Sequence, residues 1–329
     1  MNAAATSVCV VIAAWNAERT VARAVASALA QPEVSEVVVV DDASTDGTAV
    51  AALNACDGTG RLRVIEHVEN LGPSAARNRA IAESNSPFLA ILDSDDFFVP
   101  GRFARLLMHR GWDAIVDNLA LIPENRIARF TVDDLRHFAS EPEVLTFAVF
   151  VEGNISRRGM ERAELGFIKP LMRRSFLETH ALHYDETLRL GEDYALYSRM
   201  LAAGATFKKI ETCGYVAVQR LASLSGCHRT EDLAALLAYD DVLSGLPRLS
   251  NTDREVVRRH RAQLAANLRH RRFLDVKRAD GLVTALRNEV ETPANLTALA
   301  RAIIRDKFAT VRARYIRSST SSEVRYLFH

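Results

Sequence analysis

The sequence predicts an α/β fold: a mostly parallel sheet flanked by helices, followed by a helical C-terminal extension. Three observations carry this. Apolar strand-like segments at Val8–Ala14, Val37–Val40, Leu62–Glu66 and the run from Phe88 alternate with helical stretches, and a β-α-β-α-β-α-β order demands a mostly parallel sheet. Two of these strands end on carboxylates, Asp41-Asp42 and Asp93-Ser94-Asp95-Asp96, at the strand ends where open α/β sheets bind ligands. From residue 230 onward the patterning is helical with no strand signal. A chain of 329 residues, 48% hydrophobic and 25% charged, has ample core for two domains, or for one large domain with an appendage.

The elements can be justified in order. Trp15-Asn16 ends the first strand, and Asn16 is a candidate N-cap for a helix carrying Val21, Val25 and Leu29 on one face. Asp46 is placed to cap the helix after the second strand. Asn70-Leu71-Gly72 makes a turn, and Pro73-Ser74 starts the third helix. Trp112–Val116 and Thr146–Val151 read as further strands, and Gly153–Ser156 as a loop near a pocket. Asn154-Ile155-Ser156 matches a glycosylation sequon, which is discounted because no secretion signal accompanies it.

Leu196, Tyr197, Met200 and Leu201 form one apolar helical face, and Asp193, one turn earlier, shares it. That carboxylate reads equally as a charge favoured by the helix dipole or as a general base at a pocket edge. Arg220–Ser225 is loop-like, and His228 beyond it reads as a surface or structural residue rather than a metal ligand. Ile304, Phe308, Val311 and Tyr315 make an apolar stripe flanked by arginines, either a packed helix or a basic interfacial one. Packing is the preferred reading.

The charge balance narrows the partners. A formal net charge of +1 carries no nucleic-acid signature. Residues 226–329 hold 19 Lys/Arg against 12 Asp/Glu, a net of +7, which leaves −6 for residues 1–225. A basic tail of this kind suits phosphate or an anionic membrane surface. The four cysteines show no C-x-x-C spacing, so a reduced cytoplasmic compartment is expected. The apolar run Val8–Trp15 falls short of the roughly 20 residues that span a bilayer, and it lacks a basic n-region. A soluble protein is expected, or one attached peripherally at the inner face of the plasma membrane.

The acidic strand ends suggest specific chemistry. Asp93 and Asp95, two apart on extended backbone, point to the same side. Hard oxygens on one face suit Mg²⁺ or Mn²⁺ shared with a substrate phosphate. There is no G-x-G-x-x-G after the first strand and no P-loop lysine motif, so a bound nucleotide would be held differently from the Rossmann dinucleotide or Walker sites. Asp41 or Asp42 can accept from a base N–H or a ribose hydroxyl, and Arg77 can pair with phosphate. On local pattern alone, Arg77 reads as an exposed helical arginine.

Taken together, five motifs in order resemble the family 2 glycosyltransferases of GT-A fold, a Rossmann-like arrangement, over roughly residues 7–225. They are Val11–Asn16, Val39–Thr48, Asn70–Asn78, Leu92–Asp96 and Gly191-Glu192-Asp193. With Gly166–Leu171, they look closest to succinoglycan-type exopolysaccharide glycosyltransferases. The resemblance implies a nucleotide-sugar donor, most often a UDP-sugar such as UDP-glucose, held by residues 1–115, with Ala14, Asn16, Asn70, Gly72 and Arg77 among its contacts. Asp42 would face the uracil with Asp41 in support, and Asp93 the ribose. Asp95, with Asp93, would hold Mg²⁺ or Mn²⁺, and Asp96 would touch the donor sugar. In the acceptor half, residues 116–225, Asp193 would be the base of one inverting in-line displacement. Residues 226–329 form the basic helical extension.

One departure matters. No Gln-x-x-Arg-Trp sequence, the mark of processive members, occurs here. The expected reaction is therefore a single transfer to a polyprenyl-diphosphate-linked saccharide at the membrane, with a homodimer as one assembly open to the chain. Two competing readings are a catalytically idle nucleotide-sugar-binding module serving a partner transferase, and a nucleotidyltransferase. The intact Asp193 and Asp93/Asp95 disfavour the first. The absence of an early glycine- and arginine-rich phosphate loop disfavours the second.

Overall fold

The computed structural model describes residues 6–136, 141–156, 165–220, 229–289 and 324–328. The first half follows the expected alternation: β1 (Val8–Ala14), α1 (Val21–Leu29), β2 (Val34–Asp41), α2 (Thr48–Asn54), β3 (Leu62–Glu66), α3 (Pro73–Ala82) and β4 (Phe88–Ile91). β1 pairs in parallel with β2 and β4, and β2 with β3. The valine-rich runs of β1 and β2 are buried on both faces, as such strands require.

The chain then continues through β5 (Phe97–Phe98), α4 (Arg102–Leu107), β6 (Ala114–Pro123), β7 (Glu143–Val144), α5 (Phe147–Glu152), β8 (Leu171–Arg173) and α6 (Arg174–Thr179). α7 (Glu192–Ala202), β9 (Phe207–Gln219), α8 (Thr230–Ser244), α9 (Asn251–Glu289, broken at Gly281) and β10 (Arg325–Tyr326) complete it. The sheet order is β3-β2-β1-β4-β8-β6-β9-β5, with β7 beside β9 and β10 beside β6. β8 runs antiparallel to both neighbours.

Alternate side chains of β1 enter different cores. Val8, Val10 and Ile12 pack with α1, whereas Cys9 and Val11 pack with α3, α5, α7 and α8. The C-terminal helices bear directly on α7. Tyr239 of α8 donates to the Ala195 carbonyl at 2.9 Å, and Tyr194 donates to buried Asp240, which also bonds His260 of α9 at 2.7 Å.

Four expectations are corrected. Thr146–Val151 is not a strand: Thr146 caps α5, its hydroxyl accepting from the Val149 amide, and a short apolar run does not reveal its period. Asn16 is not an N-cap, since α1 begins after Thr20. The strand read at Trp112–Val116 begins at Ala114 and runs to Pro123, where β9 pairs along it. The chain beyond residue 230 is not helical throughout, because Arg325-Tyr326 adds to β6 and Asn118 bonds both backbone groups of Phe328. A two-residue strand carries no periodicity to detect. His228 and the Ile304–Tyr315 stripe lie outside the described residues.

Candidate active site

The carboxyl ends of β1, β2 and β4 open on one side. At the first, Asn16 takes a left-handed backbone (φ 50°), and its side chain accepts from the Thr45 amide at 2.9 Å. Ala14 is buried, and its carbonyl accepts the Asp42 amide. Asp41 accepts from the Ser44 amide at 3.0 Å. Asp42 accepts from the amides of Leu71 (2.9 Å) and Gly72 (2.7 Å) and bonds His67 Nδ1 at 2.8 Å, while Asn70 donates to its carbonyl. The Asp42 carboxylate, expected to face a base, thus shapes the turn at Asn70–Gly72. His67 has no sequence signal beyond its place after β3.

At the end of β4 the three carboxylates diverge. Asp96 is buried, accepting from Tyr215 (2.8 Å) and the Val218 amide (2.8 Å), so both its oxygens fasten β9 instead of reaching towards a sugar. Burial, with Asp95 and Asp93 close by, pushes its carboxyl well above the usual range. Asp93 turns inward to Arg77 (3.0 Å) and Lys169 (2.9 Å). Burial alone would raise Asp93, but these two cations hold it at about 2. Asp95 remains open, 36% exposed, with Arg220 at 3.8 Å.

Arg77 is buried, which corrects its reading as an exposed helical arginine. Besides Asp93 it pairs with Glu192 at 2.7 Å and approaches Asp193 at 3.8 Å. Those carboxylates reverse the effect of burial and keep it charged. The expected phosphate contact gives way to this internal role: Arg77 ties α3 to the start of α7.

α7 starts at Gly191, whose φ of 76° suits glycine and where a Cβ would stand 2.8 Å from Leu236. The turn aims Asp193 into the interior, where it is 6% exposed. It accepts from Lys169 (2.6 Å), Tyr184 (3.1 Å) and Tyr197 (3.4 Å). Burial and then Asp193 raise both tyrosines well above their ordinary range, so they act as hydrogen-bond donors. Lys169 stands within the Gly166–Leu171 motif. Nothing local in that stretch announces an ammonium shared by two distant carboxylates.

The glycosyl transferase family 2 profile matches residues 9–133. Over 305 residues the chain is 52% identical to the succinoglycan biosynthesis protein ExoU of Rhizobium meliloti (strain 1021), covering 93% of this chain and 89% of that one. It is 35% identical to ExoO of the same organism over 299 residues, 88% and 80% of the two chains. The chain belongs to family 2 of the glycosyltransferases.

The fold of this family 2 enzyme agrees with that assignment. The crystal structure of S. aureus TarS 1–349 in complex with UDP-GlcNAc superposes with a TM-score of 0.57 at 18% identity, covering 90% of this chain and 79% of that one. The GT-A fold expected from the motifs is the fold observed.

At this family 2 site the residue that would hold a divalent metal is Asp95, whose carboxylate is open to solvent. Burial and then the neighbouring Asp93 raise the Asp95 carboxyl, and Arg220 and Lys169 oppose the rise. Asp93 fits less well as a ligand than expected, because both its oxygens already face cations. Among the described residues no three His, Cys, Asp or Glu side chains form a cage. One carboxylate plus substrate phosphates is an ordinary Mg²⁺ arrangement. Among the described residues no helix is long and apolar enough to cross a membrane.

Proposed function

We propose that this family 2 glycosyltransferase acts in exopolysaccharide assembly, moving one sugar from a UDP-sugar to a polyprenyl-diphosphate-linked saccharide. The observation that carries the reading is the convergence on Lys169 of Asp93, just past β4, and buried Asp193, at the start of α7, with Asp95 open two residues beyond Asp93. The names of ExoU and ExoO support the pathway, and the UDP-GlcNAc bound by TarS supports the class of donor.

In this reading the wall built by Ala14, Asn16, Asp41, Asp42, Asn70 and Gly72 receives the nucleoside. Asp93 lies towards the ribose, and Asp96 keeps the acidic turn docked on β9. Asp95 would hold Mg²⁺ or Mn²⁺ together with the donor diphosphate, where the ion supplies Lewis-acid stabilisation of departing UDP. Asp193 takes the proton of the acceptor hydroxyl while the hydroxyl oxygen bonds the anomeric carbon and the bond from that carbon to the β-phosphate oxygen breaks, releasing UDP. One displacement of this kind inverts configuration. Lys277, Arg278 and the exposed Leu282 and Val283 of α9 suit peripheral contact with an anionic inner leaflet.

Calorimetric titration with UDP, GDP and ADP, each with and without Mn²⁺, tests the donor site. Metal-dependent binding that favours UDP is expected. A preference for GDP would overturn the donor, and silence towards all three would return weight to an idle module.

A further inference from the structure

Lys169 occupies a place that the proposed roles leave unassigned. Its side chain is 5% exposed, and Nζ meets Asp93 Oδ2 at 2.9 Å and Asp193 Oδ2 at 2.6 Å. Its backbone is anchored: the Lys169 carbonyl accepts from Arg102, which is locked in the core on Asp117. The flexible stem above that anchor can redirect the ammonium without moving the loop backbone that leads into β8.

Asp193 is covered in this arrangement. Lys169 sits on Oδ2, while Tyr184 and Tyr197 donate to Oδ1. A base must offer an oxygen to the proton it removes. With the ammonium in place, Oδ2 is not clear for a substrate hydroxyl. The tyrosines hold Oδ1 independently of Lys169, so the carboxylate keeps its orientation if the ammonium leaves.

We infer that Lys169 is a positioning residue that links donor occupancy to the uncovering of Asp193. The inference rests on the nucleotide-sugar reading above. A diphosphate seated at Asp95 adds negative charge on the Asp93 side, which Lys169 already touches. The ammonium then shifts from Asp193 towards a phosphate oxygen, and Oδ2 opens to the acceptor. Donor binding and the Lys169–Asp193 pair thus compete for one ammonium, and competition of this kind is reciprocal. Removing the Asp193 charge frees Lys169 for the donor and tightens nucleotide binding. A lysine that merely held Asp193 in place would produce no such gain.

The test is a double-mutant cycle read by calorimetric UDP affinity in the presence of Mn²⁺, without any acceptor. Asp193→Asn should bind UDP severalfold more tightly than wild type, and Lys169→Gln more weakly. In the Lys169→Gln background, Asp193→Asn should no longer change the affinity. Equal or weaker UDP binding by Asp193→Asn would overturn the link while leaving the donor site standing. Absence of UDP binding to the unaltered protein would overturn the donor reading, and the link with it. Lys169→Gln removes a cation shared by two carboxylates, leaving both to Arg77, and can fail to fold, so the wild-type complex supplies an independent measurement. A crystal structure with UDP and Mn²⁺ should show Nζ on a phosphate oxygen and out of hydrogen-bond reach of Asp193. An unchanged 2.6 Å contact contradicts the inference.

Discussion

Asp93 and Asp193, far apart in the chain, share one nitrogen: Lys169 Nζ stands 2.9 Å from the first and 2.6 Å from the second. The contact joins the end of β4, where a donor diphosphate would lie, to the start of α7, where an acceptor would be activated. Arg77 repeats the connection from the other side, bonding Asp93 and Glu192. Buried charge clusters are costly to desolvate and are weak evidence for stability. Here the cluster sets the spacing of groups whose chemistry differs.

Asp95 is the open carboxylate of its turn, so its loss should be specific. Asp95→Ala should abolish the Mn²⁺ dependence of UDP binding while changing folding stability by no more than about 0.5 kcal/mol, as at other exposed sites. Titration of the variant with and without the metal checks this. Retained Mn²⁺ dependence would move the metal elsewhere.

The Arg102–Asp117 pair lies beneath Lys169 with both side chains buried, and Arg102 Nε and Nη2 both bond the carboxylate. Asp117→Ala strands a buried guanidinium and should cost about 3–5 kcal/mol in urea unfolding. Gly214 sits against the same pair, where a Cβ would fall 1.8 Å from Asp117 Oδ2. Gly214→Ala should therefore be destabilising as well, by roughly 1–3 kcal/mol or more. A wild-type urea midpoint in either variant would show that the pair does not hold this layer.

Acid should act through Asp93. Its carboxyl is held at about 2, below the usual 3.8, so the folded state binds the proton less tightly than the unfolded chain. The resulting stability is present above pH about 4 and is lost as pH falls through about 2. With the side chain a third exposed, solvent screens part of the effect. Asp93→Asn should flatten the acid limb of the Tm–pH curve between those values. An acid limb identical to wild type would place the sensitivity on other carboxylates.

The parts of the fold that were legible in the sequence are those with strong local periods. β1 to β4 show themselves as apolar runs and α3 by Pro73 at its start, and Asp193 shares a helical face with residues that prove buried. What escaped depends on partners that converge from elsewhere. Arg77 looks solvent-exposed until Asp93 and Glu192 arrive from two other elements, and Lys169, in the loop before β8, gains its role only when Asp93 and Asp193 converge on it. Thr146–Val151 fits two periods, and tertiary packing chooses the helix that buries Phe147, Phe150 and Val151.

The most direct measurement is a comparison of wild type with Asp193→Asn, in UDP affinity and in steady-state transfer to acceptor. Turnover should fall by on the order of 10²–10⁴ while UDP binds at least as tightly as before. Turnover within a few-fold of wild type would deny Asp193 the role of base. A parallel loss of UDP affinity would make it part of the donor site instead.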